Sequence, residues 1–138
     1  MLVLAAAASI AWRMLPEERD ESAAKSLRME VVNACGTSRV GRAIADELQM
    51  RGFDVYAVRA DPQSSARTTV VDLRDPAGGN AEAVARALAV QRRWRKLPLG
   101  PRAMPETRVE IDSGRYLEVR LVVGEDYRRF FARAVPLY

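Results

Sequence analysis

The chain has 138 residues, 49% of them apolar, with 22 basic and 18 acidic side chains and a net charge of +4. It has no histidine and one cysteine, which excludes His-based acid–base and nucleophile chemistry, an intrachain disulfide and CxxC metal sites. The charges are interspersed and the carboxylates show no paired spacing, so composition points to one domain with a mixed solvated surface, neither an enzyme nor a nucleic-acid platform.

Residues 1–15 are apolar and uncharged until Arg13, and Pro16–Glu21 then turns abruptly polar. They are predicted to be a membrane anchor or signal segment, followed by a charged linker over 16–26, a folded domain over 27–128 and a tail over 129–138. The apolar run is shorter than the ~20 residues that cross a bilayer. Three readings fit: an anchor whose true start lies upstream, a signal peptide with Ser9 and Ala11 before the cut, or an interfacial helix. Trp12 at the apolar–polar boundary suits a membrane interface.

A strand is predicted over 27–33, buried on both faces and therefore central. Thr37 or Ser38 is expected to cap the helix that follows, with Val40, Ala43, Ile44 and Leu48 as its apolar stripe. Gly52 supplies a left-handed stop, with Phe53 folding back on the last turn. Strands follow over 54–59 and 68–74, separated by a loop at Asp61–Ser65. Asn80 is expected to cap a second helix that carries Ala81, Val84, Ala85, Leu88 and Ala89 on one face. Arg92, Arg93, Arg95 and Lys96 around Trp94 read as its polar C-terminal end. Residues 97–107 read as irregular. Arg108–Ile111 and Tyr116–Val123, flanking Asp112-Ser113-Gly114-Arg115, read as a hairpin.

The order β-α-β-β-α-β, with a possible extra strand before the last, predicts an α+β sandwich, ferredoxin-like or related, with a small mixed sheet and two helices on one face. The candidate site is the strand-to-helix corner at Asn33, Gly36, Thr37, Ser38 and Gly41. Free N–H groups and the positive helix end there suit a phosphate, carboxylate or backbone group. Arg67, Gly124 and Asp126 are expected nearby. A purely structural reading stands beside this one: the glycines serve the turn and close packing, and Asn33 and Asp126 cap local turns. Cys35 reads as a small buried turn residue. Phe130, Phe131 and Tyr138 either pack on the domain or anchor a partner or second copy. No Gly-Lys-Ser/Thr follows the corner and no full GxGxxG is present, so neither a nucleotide cofactor nor nucleic acid is expected. Oligomeric state is left open.

Val31-Val32-Asn33-Ala34-Cys35-Gly36, Gly41 with its helix, Arg51-Gly52-Phe53-Asp54-Val55, Ala60-Asp61, Ala66 to Val71 and Leu117 to Asp126 follow one another at a characteristic spacing. In that order they resemble the C-terminal domain of LytR/CpsA/Psr-type cell-envelope proteins over residues 28 to 127. The resemblance implies a membrane-anchored domain on the extracytoplasmic side. It also implies a non-catalytic accessory role towards an envelope polymer or envelope protein. Asn-Ala-Cys-Gly stands where Asn-Gly-Thr-Gly is common, which removes one flexible position.

Overall fold

The computed structural model describes residues 21–89, 93–94, 97–98 and 103–134. The apolar segment, Tyr138 and most of the basic cluster lie outside these residues. Seven strands are described: β1 (Arg28–Asn33), β2 (Asp54–Ala60), β3 (Thr69–Asp72), β4 (Arg93–Trp94), β5 (Leu97–Pro98), β6 (Glu106–Val109) and β7 (Val119–Val123). The two longer helices are α1 (Val40–Met50) and α2 (Gly79–Ala87).

The main sheet runs β2-β1-β7-β3-β6. β1 pairs parallel with β2 and with β7, while β3 pairs parallel with β6 and antiparallel with β7. Two βαβ units, β1-α1-β2 and β3-α2-β6, therefore lie on either side of the last strand and run in opposite directions. Side-by-side parallel strands require a crossover, which each helix supplies. The α+β class and mixed sheet are those expected. Because β1 and β2 are neighbours, with no strand between them, this is a relative of the ferredoxin-like arrangement.

Both helices cover one face. Met29, Val31, Val70, Val119, Leu121 and Val123 from the sheet share a core with Val40, Ile44 and Leu48 of α1 and Ala81, Val84 and Ala85 of α2. The small residues of α2 let it sit close. Gly52 adopts φ +93° and its N–H reaches the Gln49 carbonyl, while the Phe53 N–H reaches Leu48. That ends α1 as the sequence predicts.

Several expectations are corrected. Residues 21–25 are helical and Ala24 is buried in the core, so the domain begins inside the expected linker. Residues 108–123 form no hairpin, because β3 lies between β6 and β7. The slot is filled by Val70 and Val71, both fully buried, whose strand is paired on each side. Arg93–Trp94 is a strand paired with Leu97–Pro98, not a helix end. Asn80 does not cap α2. The buried Asp72 carboxylate does that work from nine positions upstream, accepting the Ala81 N–H at 3.0 Å as well as those of Arg74 and Asp75.

The tail is largely core. Tyr127–Arg129 forms a short 3-10 helix, and Phe130, Phe131 and Ala134 are buried against the main cluster. Phe130 and Phe131 thus pack on the domain, and Phe130 also borders surface hollows.

Candidate functional site

Asn33 ends β1 and its side chain organises the turn that follows. Its Nδ2 donates to the Thr37 carbonyl at 2.9 Å, and its Oδ1 accepts the Cys35 N–H at 3.3 Å and the Cys35 thiol at 3.0 Å. Cys35 is buried and is a turn residue, as read. Gly36 takes φ +78° in open space, a conformation glycine adopts without steric cost. Gly41 packs directly on β1, for a Cβ there would lie 2.8 Å from the Asn33 Cβ.

Thr37 and Ser38 do not cap α1. The capping position falls at Arg39, itself left-handed at φ 67°, with no side-chain bond to the helix amides. The Asn33 side chain holds the Thr37 carbonyl within the turn, and the turn runs on through Arg39 before the helix starts. Thr37 and Ser38 remain exposed at the surface, and the first turn of α1 holds no acidic residue.

The loop after β2 joins this corner to the end of β7. The Asp61 N–H reaches the Asn33 carbonyl, and the Ser65 N–H reaches Ala34 at 2.7 Å. The Glu125 N–H in turn reaches the Ser65 carbonyl. Asp126 Oδ1 accepts both the backbone N–H and the hydroxyl of Thr68, each at 2.7 Å, and that hydroxyl accepts the Gly124 N–H at 3.1 Å. Gly124 is thus pressed onto backbone: a Cβ there would lie 2.6 Å from the Arg67 carbonyl oxygen and 2.7 Å from the Thr68 nitrogen.

Beside this contact a hollow of about 460 Å³ opens, lined by Arg67, Thr68, Met104, Glu106, Asp126 and Arg129 among others. Its size is within the range of small-ligand sites. Arg67 is ion-paired with Glu106. That hydrogen bond, with the Glu106 charge, pushes the Arg67 guanidinium further above its already high value, so its charge is constant at any working pH. The structure therefore divides the predicted residues into two groups. Arg67 and Asp126 line the hollow with Gly124 beneath them. Asn33, Gly36, Thr37, Ser38 and Gly41 form the neighbouring corner and do not line it. The sequence reading missed Glu106 and Arg129; neither sits in a motif, and only the fold brings them to this end of the sheet.

Gly124→Ala is expected to lower stability by about 1–3 kcal/mol, the usual cost of forcing a group into a filled space, measured by chemical denaturation. Because the obstructing atoms are backbone, the hollow should distort as well.

A larger groove of about 1110 Å³ runs along the outer side of α1, between Arg39, Arg42, Met50 and Arg51 and the tail at Phe130 and Arg133. Among the described residues no cluster of three or more His, Cys, Asp or Glu side chains could hold a metal ion, and no helix is long and apolar enough to cross a membrane.

A mixed five-stranded sheet with two crossover helices on one face, and loops laced together at one end of the parallel strands, defines a small α+β domain. The family model described as LytR cell envelope-related transcriptional attenuator matches residues 26–127. The chain belongs to that family, and the domain is cell-envelope-related. No curated protein and no solved structure matches it.

Proposed function

We propose that this chain is a non-catalytic binding module of the cell envelope. On this reading it is tethered through its apolar N-terminal residues on the extracytoplasmic side of the membrane, and it contacts an envelope polymer or envelope protein. The observation that carries the reading is the hollow at Arg67, Asp126 and Arg129. It lies where the segments leading into β3 and β6 meet the segment after β7, and a concave site with a few convergent polar groups beside apolar side chains is the usual form of a ligand site. Arg67 and Arg129 bring positive charge, Asp126 and Glu106 negative charge, and Met104 and Phe130 an apolar wall. That mixture suits a ligand bearing hydroxyl, amide or carboxylate groups along an apolar backbone.

The test titrates wall fragments against the full chain and its Arg67→Ala/Arg129→Ala variant. Affinity should fall by about fivefold or more in the variant, the loss typical of removing an energetically important contact, with the unfolding midpoint unchanged. Equal affinity for both proteins removes the hollow from the reading. Recovery of the natural product wholly from the cytosol removes the tether.

A further inference from the structure

We propose that the sheet face opposite α1 and α2 carries an oxyanion site in which Arg59, Arg115 and Arg120, gathered by the buried Glu30 carboxylate, bind a phosphate group. Glu30 lies in β1 and is 1% exposed. Its Oε1 accepts from Arg59 Nε of β2 and from Arg115 Nη1 at 3.3 Å, and its Oε2 accepts from Arg120 Nε of β7 at 3.0 Å. Three guanidinium groups from three separate parts of the chain thus meet one carboxylate.

One negative charge cannot neutralise three positive ones. The next carboxylates, Glu110 and Asp112, stand 3.9 Å from Arg120 and 3.8 Å from Arg115, beyond hydrogen-bond length. Glu110 is also shared with Arg108 at 3.9 Å. Counting Arg108, Glu110 and Asp112 with the cluster still leaves one positive charge in excess.

Donors are in excess too. A guanidinium has five N–H groups, and each of these three gives one to Glu30. The side chains of Arg59 and Arg115 are 48% and 41% exposed, so the outer side of the cluster is reachable from solvent. Glu30 fixes the positions of the planar forks before any ligand arrives, which lowers the ordering cost of binding. A tetrahedral phosphate offers enough oxygens to meet more than one fork at once, where a carboxylate offers two, and paired Arg–phosphate bonds are among the strong charge-assisted ones. None of these arginines lines the hollow at Arg67, so the inference is independent of that reading.

The experiment follows the arginine Nε–Hε resonances of the full chain while inorganic phosphate is added. The expected result is saturable shifts of Arg59, Arg115 and Arg120 in the millimolar range or tighter. Arg59→Gln and Arg115→Gln should each weaken binding by about tenfold, in line with a lost hydrogen bond to a charged group, while Arg67→Ala/Arg129→Ala leaves it unchanged. Sedimentation with phosphatidylglycerol against phosphatidylcholine vesicles separates the sources. Binding to the former that is lost with Arg59→Gln identifies a lipid headgroup, and binding of inorganic phosphate alone identifies a soluble phosphate. Shifts that do not saturate, or that survive both Gln variants, overturn the proposal. If a variant fails to fold, the wild-type titration decides by itself.

Discussion

Glu30→Ala is expected to lower folding stability by about 3 kcal/mol, near the lower end of the cost of breaking a buried ion pair. The carboxylate is buried, and both its oxygens are occupied by arginines. Its removal leaves Arg120, whose side chain is 17% exposed, with only the Glu110 carboxylate 3.9 Å away, while Arg59 and Arg115 can turn into solvent and limit the loss. Burial pushes the Glu30 carboxyl up, but the hydrogen bonds and charges of Arg59 and Arg120 outweigh it and hold the group below its ordinary value of 4.5. A carboxylate with a lowered folded value stabilises the protein fully above its unfolded value and loses that contribution as pH falls through the folded value. Wild-type stability should therefore decline on acidification below about pH 4.5 more steeply than that of Glu30→Gln. Urea denaturation of the two proteins between neutral pH and pH 3 measures the difference. Parallel curves would show that Glu30 does not couple to the arginines.

Phe131→Ala should be at least as damaging, at about 3–5 kcal/mol, the usual cost of removing a buried aromatic side chain. Phe131 is 1% exposed and is the largest of the fully buried side chains. It belongs to the main core, which also takes in residues of β1, α1, α2 and β7, so its loss leaves a cavity in that core. Tyr116→Ala, at a position 83% exposed, serves as the control and should change stability by less than about 0.5 kcal/mol. A Phe131→Ala protein with the midpoint of that control would place the residues after 128 outside the domain, as the sequence boundary has it.

The phosphate titration and the wall-fragment titration probe two different regions, so each can fail alone. Loss of phosphate binding leaves the hollow at Arg67 untouched, and loss of wall binding leaves the arginine cluster in place. Gly124→Ala, whose new Cβ would press on the backbone of Arg67 and Thr68, lowers stability and disturbs the hollow without touching the arginine cluster.

Local signals were legible from the residues alone. The apolar run of β1, the stripe Val40, Ile44 and Leu48, the Gly52 stop and the small face of α2 each depend on neighbours within a turn or two of chain. Family membership was legible for a related reason, since its motifs follow one another in order along residues 28 to 127. Only the tertiary structure decided that β7 lies between the two βαβ units, that β3 separates β6 from β7, and that Asp72 caps a helix nine residues away. It also decided which candidate residues meet: Arg67 with Asp126 beside Gly124, and Glu30 with three arginines distant in sequence. Periodicity reports which face a side chain takes, because that depends on local backbone geometry. Which strand lies alongside another, and which charge meets which, depends on contacts between residues far apart in the chain, and composition and spacing carry no record of those.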